Sequence, residues 1–180
     1  MKIFVSHAIK DNKLINELKS VLEPHGLELL IAEHYSDIDH STISEKIEKM
    51  IKSCNVALFL LTKNGFNSKF VQQEIGYIKS SKIPYLQIIE KGIEKEITGF
   101  NYGKGYIEYS SDEPQLALDK IKRALLNYWK QLEVKKQEQF KQKQVKQRQL
   151  MLQQQRKQEQ ELKVGLGILA GVLILGLLSK

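Results

Sequence analysis

One carboxylate in this chain stands where an apolar side chain is expected. In the run Ser68-Lys69-Phe70-Val71-Gln72-Gln73-Glu74-Ile75-Gly76-Tyr77-Ile78, residues Phe70, Val71, Ile75 and Ile78 mark the apolar stripe of a helix. Glu74 falls four residues after Phe70, three after Val71 and four before Ile78. Side chains at those spacings share a helix face, so Glu74 lies on or beside the packing face. Burying a charge there is costly unless it has a partner or a task. A lone carboxylate so placed can close a buried ion pair, or it can present fixed negative charge to a ligand. Ser68 precedes the helix and reads as its cap. The helix comes directly after Val56–Leu61, an apolar run that reads as a buried strand, so the carboxylate sits just past a strand's C-terminal end.

The elements that must hold it alternate regularly over residues 1–129. Strands are expected at Ile3–Val5, Leu27–Ala32, Val56–Leu61, Pro84–Ile89 and Gly105–Tyr109. Between them come a helix with Leu14, Ile15, Leu18, Val21 and Leu22 on one face, a helix with Ile43, Ile47, Met50, Ile51 and Cys54, the Glu74 helix, and a weak short helix at Ile93–Ile97. Pro24-His25-Gly26 stops the first helix, Thr42 and Glu45 form a capping-box pattern, and Pro114 opens a last helix running through Trp129. Such alternation means right-handed crossovers: an α/β, flavodoxin-like, three-layer domain with a five-stranded parallel sheet, expected in the order 2-1-3-4-5. Ligands bind such sheets beyond the carboxyl ends of the strands. The loops there are Ser6–Lys10, Glu33–Ser41 and Thr62–Ser68, so Ser6, His7 and Glu74 could share one rim.

Charge is distributed unevenly. The chain is +7 overall, yet residues 130–163 hold ten basic and four acidic residues, and residues 1–129 are formally neutral. A basic domain surface for nucleic acid is therefore not supported. The same segment has twelve glutamines and no Gly or Pro, and its apolar residues hold no heptad. It reads as a charged helical stalk rather than a regular coiled coil, with a disordered linker as the competing reading. Val164–Leu178 is 15 uncharged residues in a row. It is expected to be a hydrophobic helix and a single-pass tail anchor, flanked by Lys163 and Lys180, with the N-terminal domain on the cytoplasmic side; a helix for oligomer packing or membrane-surface insertion is the competing reading. One cysteine, Cys54, reads as a core residue, and no His/Cys cluster has metal-ligand spacing.

Three segments, in order, resemble the Toll/interleukin-1 receptor (TIR) domain family in its bacterial and archaeal form. Lys2-Ile3-Phe4-Val5-Ser6-His7 with Asp11 is similar to the family's first box. Leu30-Ile31-Ala32-Glu33 and a polar loop leading to Ile43-Ser44-Glu45-Lys46-Ile47 are similar to its second strand, BB loop and following helix. Leu60-Leu61-Thr62-Lys63-Asn64, followed by Ser68-x-Phe70-Val71-x-x-Glu74, resembles the segment that carries the family's NAD-cleaving glutamate. Phe70 stands where the family commonly has Trp, and Tyr35–Ser41 lacks a Pro-Gly often found in the BB loop. The resemblance covers about residues 1–129 and none of the tail.

It implies cleavage of the nicotinamide–ribose bond of NAD+, in immune (antiphage) signalling at a membrane. Glu74 would be catalytic, with Ser6, His7, Tyr35, Ser68 and Phe70 around the substrate. NAD+ would be substrate and not cofactor, and no metal is implied. It also implies self-association through the TIR domain. Plainer readings stand beside these: Glu74 as a structural ion pair, Ser68 as a cap only, Phe70 as core, His7 as a loop residue without a role. The competing function is a non-enzymatic adaptor that works by TIR–TIR assembly. A third is an enzyme similar to nucleoside deoxyribosyltransferases, which also use a glutamate on a related fold.

Overall fold

The structure is a computed structural model that describes residues 1–32, 40–96 and 105–178; for 40–43 and 159–178 it describes the backbone alone. Tyr35 and the rest of the polar loop 33–39 lie outside the described residues. Among those described, five strands form one sheet in the order β2-β1-β3-β4-β5. They are β1 (Lys2–Ser6), β2 (Glu28–Ile31), β3 (Val56–Leu61), β4 (Tyr85–Glu90) and β5 (Tyr106–Tyr109). Every adjacent pair is parallel, with Ile3 opposite Leu29 on one side of β1 and opposite Val56 on the other. This is the sheet order that the alternation of elements implies.

The helices are α1 (Asn12–Leu22), α2 (His40–Ser53), α3 (Lys63–Phe66), α4 (Lys69–Ser80) and α5 (Pro114–Leu178). Parallel strands need crossovers, and the crossovers cover both sheet faces. On one face Ile3, Val5, Leu58 and Leu60 pack with Leu14, Ile15 and Leu18 of α1 and with Leu118, Ile121 and Leu125 of α5. On the other, Phe4, Ala57, Phe59 and Leu61 pack with Ile51 of α2 and with Val71, Ile75 and Ile78 of α4. β3 is buried along its whole length, as a strand covered twice must be. Gln87 of β4 is the exception within this core. It is 1 % exposed, and neither its amide nitrogen nor its amide oxygen has a hydrogen-bond partner among the described residues.

Two glycines are dictated by geometry. Gly26 ends the turn after α1 at φ +73, and its N–H bonds the Glu23 carbonyl at 2.9 Å; a left-handed backbone there favours a residue without Cβ. A Cβ on Gly65 would overlap the Leu60 carbonyl oxygen. The α3 turn lies directly against the end of β3 for that reason.

Beyond shifts of one residue at strand ends, the elements depart from the expected ones in three places. α2 begins at His40, two residues before the Thr42–Glu45 capping pattern. The expected helix at Ile93–Ile97 is a single 3-10 turn, Glu94–Glu96. The segment Thr62–Ser68, expected as a loop, contains α3, capped by the Thr62 hydroxyl accepting from the Gly65 N–H. By its contacts the chain forms two units, Met1–Trp129 and Lys130–Lys180. The second is helical to Leu178, and its side chains are exposed from Glu133 to Lys157. Among the described residues no helix is long and apolar enough to cross a membrane; the side chains of 164–178 lie outside them.

Candidate active site

α4 starts where the chain leaves α3. The Ser68 hydroxyl accepts from the Val71 N–H at 3.4 Å, which satisfies one of the free donors at the helix start. Val71, Ile75 and Ile78 then turn into the core, and Glu74 turns in with them, at 7 % exposure. Across from it β1 ends in Ser6, which is fully buried. The Ser6 hydroxyl donates to Glu74 Oε2 at 2.6 Å. Sixty-eight residues of sequence separate the two groups; the pairing of β1 with β3 brings them together.

No ion pair reaches Glu74 among the described residues. Loss of hydration therefore dominates its titration. Burial pushes the carboxyl up from the usual carboxylate range to about 7, against the opposing effect of the Ser6 hydrogen bond. Near neutral pH the group is divided between acid and anion.

The other expected site residues are distributed as follows. Phe70 is not core. It is 56 % exposed, because Val71, about 100° further round the helix, takes the inward position. Phe70 is still the neighbour of Glu74 one turn back on α4. Ser68 caps the helix and also faces solvent at a cleft of ≈ 370 Å³. That cleft lies between the turn after β1, with Ile9 and Lys10, and the α3–α4 corner, with Lys63, Asn67, Ser68 and Phe70. Glu74 is not among its lining residues. His7 goes elsewhere. It is buried, its Nδ1 donates to the Val5 carbonyl at 3.3 Å, and it lines a second cleft of ≈ 360 Å³ with Asn12, Asn16 and Lys19. Ser6 and His7 are adjacent in sequence and diverge in space.

A hydrogen-bonded cluster that the sequence reading passed over joins the two sides of the first cleft. Asp11 is buried. Its carboxylate accepts from the Thr62 hydroxyl at 2.7 Å and from the Asn64 amide at 2.9 Å. Thr62 in turn accepts from the Gly65 N–H at 2.9 Å. The local signal was an Asp beside the start of α1 and a Thr-Lys-Asn-Gly run after β3; nothing in sequence links two segments 51 residues apart. Among the described residues no group of His, Cys, Asp and Glu forms a metal site.

A family model described as "TIR domain" matches residues 3–125. The chain belongs to the TIR domain family. No curated protein matches it. Among solved structures, it is similar to the TIR domain of the Toll-related receptor TRR-2 from Hydra magnipapillata, at TM-score 0.54 and 16 % identity, over 68 % of this chain and 95 % of that one. It is also similar to the CMP N-glycosidase BcmB from Clostridium botulinum, at TM-score 0.49 and 16 % identity, over 67 % of this chain and 98 % of that one. A third is a 2-desoxiribosyltransferase from Leishmania mexicana, at TM-score 0.43 and 17 % identity, over 58 % and 88 %. At 16 % identity the likeness to the Hydra domain is one of fold, and the TIR domain here is identified by its family match.

Proposed function

We propose that this TIR domain cleaves the bond between nicotinamide and ribose in NAD+, with Glu74 as the catalytic carboxylate. One observation carries the reading: an inward carboxyl, almost dry, held by one serine hydroxyl and neutralised by no cation among the described residues. A structural ion pair would supply that cation.

The chemistry suits a single carboxylate. The nicotinamide nitrogen of NAD+ is a pyridinium. When the C1′–N bond breaks, its electron pair goes to that nitrogen, and nicotinamide leaves neutral without a general acid. Positive charge then grows on the ribose, as in glycoside cleavage. Ionised Glu74 stabilises that charge in a site with little water. Water adds to C1′, giving ADP-ribose and one proton. Phe70, exposed one turn before Glu74, screens the carboxylate from bulk water. Ser6 orients it.

The test is nicotinamide release by the full chain at high protein concentration, measured by chromatography. Glu74→Gln is expected to lower the rate by roughly 100-fold or more with an unchanged circular dichroism spectrum. Equal rates for variant and parent would remove the catalytic assignment.

Homotypic association of the TIR domain belongs to the same proposal, as does a tether to an anionic membrane. The tether is supported by the 15 uncharged residues of Val164–Leu178 and the net +6 of residues 130–163 before them.

A further inference from the structure

Along α5 the stretch 140–158 has six basic residues, eight glutamines and no acidic residue. Two such stretches repel each other, yet the charges leave one line of the helix clear. Phe140, Gln144, Gln147, Met151, Gln154 and Gln158 follow one another at steps of four and three residues. At 100° per residue these steps keep them on a stripe about 80° wide. All six are uncharged. The apolar residues alone hold no heptad, but with glutamine counted the uncharged positions do. The basic residues spread over about 220° of the remaining circumference, so they present no single basic face to an acidic partner. Every side chain of 140–158 is exposed. Phe140 and Met151 are 61 % and 67 % exposed, more than any other large apolar side chain among the described residues.

The stripe also has the shape of a helix-packing surface. A concavity of ≈ 460 Å³ lies on it, lined by Gln147, Leu150, Met151 and Gln154 with Gln144 and Arg148 beside them. The first four stand at i, i+3, i+4 and i+7, the set of residues that forms a hole for one side chain of a facing helix. What fits this surface is the same helix from another copy. A carboxamide is donor and acceptor at once, so identical glutamines facing in register satisfy each other. Phe140 then meets Phe140 and Met151 meets Met151, and both leave water. No Lys or Arg enters the seam. Turned antiparallel about the middle of the stripe, Phe140 would face Gln158 and Met151 would face Gln147, so each apolar side chain would meet an amide.

We propose that α5 pairs through this stripe with α5 of a second copy of the chain, parallel and in register, so that the stalk is a two-stranded coil. The contact lies wholly within the second unit, Lys130–Lys180, and is separate from the cleavage step and from association of the TIR domains themselves. Parallel pairing leaves both TIR domains at the same end of the coil, which raises the effective concentration of each for the other. Lys143 and Arg148 border the seam in both copies. Salt screens their repulsion and tightens the pair, whereas it would weaken attraction to an anionic partner.

Sedimentation equilibrium of the full chain in a neutral detergent is expected to show a dimer that tightens about threefold or more between about 0.05 M and about 0.5 M salt. At the higher salt, Phe140→Lys with Met151→Lys is expected to weaken it roughly 100-fold or more, since both charges enter the seam. Val145→Lys with Leu152→Lys adds the same charge off the stripe and is expected to leave the dimer within about threefold of the parent. All four side chains are exposed, so both variants should fold. Register is read by crosslinking in a Cys54→Ser background, which removes the free cysteine. Gln144→Cys is expected to form a disulfide between copies, and Gln149→Cys, on the far side of the helix, is not. Antiparallel copies would set position 144 against Gln154 and give no such bond. Equal effects of the two lysine pairs, a crosslink at 149 as ready as at 144, or a dimer loosened by salt would overturn the pairing. A monomeric parent that associates only when oligonucleotide is added would overturn it in favour of an anionic partner.

Discussion

Ionising the Glu74 carboxyl inside this domain is costly, and the cost appears in stability as well as in chemistry. Its titration moves from 4.5 to about 7 on folding, chiefly because burial removes water. Between those values the folded state holds a proton that the unfolded chain has lost. Stability is therefore full below pH 4.5, falls as pH rises through about 7, and is level above that. The contribution is roughly 3 kcal/mol, counted at 1.36 kcal/mol per unit. Glu74→Gln has no such proton to lose. It is expected to be more stable than the parent at pH 8 and near equal at pH 4, in urea melts across that range. A variant destabilised equally at every pH would mean that the carboxyl is not strained by burial. On the proposed cleavage the same group would govern the rate: nicotinamide release, as kcat/KM, is expected to rise with pH to a plateau with a midpoint near 7.

At the level of elements, the short α3 turn positions both the cleft wall and the start of α4. It fits only because Gly65 has no side chain against the Leu60 carbonyl. Its cap hydroxyl, on Thr62, is also one of the two donors to Asp11. Gly65→Ala must push α3 off the strand end and disturb that cluster. A loss of about 1–3 kcal/mol is expected, as for other overpacking substitutions, seen as a lowered melting temperature. Nicotinamide release should drop further than stability alone explains, because Ser68 and α4 follow directly. A melting temperature equal to the parent's would show that the turn is not held as described.

The whole molecule has a neutral TIR unit and a second, basic unit in one chain. Residues 130–163 form about 50 Å of helix at 1.5 Å per residue. Its described side chains are exposed from Glu133 onward. Those exposed side chains add no packing to stabilise it, and its charge is one-sided. The membrane proposal follows from that charge and from the apolar run after it. Full-length chain is expected to co-float with vesicles containing phosphatidylserine and to stay bound after a carbonate wash, whereas a chain lacking 164–178 should be released by salt. Flotation of the shortened chain after that wash would place the tether elsewhere.

The alternation of apolar runs with helix periods was enough to obtain five parallel strands and their order, because each pattern is local and the handedness of crossovers restricts how such units assemble. Glu74 was legible for the same reason: a charge on an apolar face is visible in the spacing alone. What tertiary structure decided are the properties that depend on distant segments. Phe70 belongs to the apolar stripe by period, yet Val71 takes the inward position and Phe70 is exposed. Ser6 and His7 look alike as a pair on one rim, yet β1 ends at Ser6 and His7 lies just beyond it, so one meets Glu74 and the other lines a different cleft. The Asp11–Thr62–Asn64 cluster and the raised titration of Glu74 exist only when β1 lies beside β3, since hydration and hydrogen bonding belong to the neighbourhood that folding assembles and not to the residue.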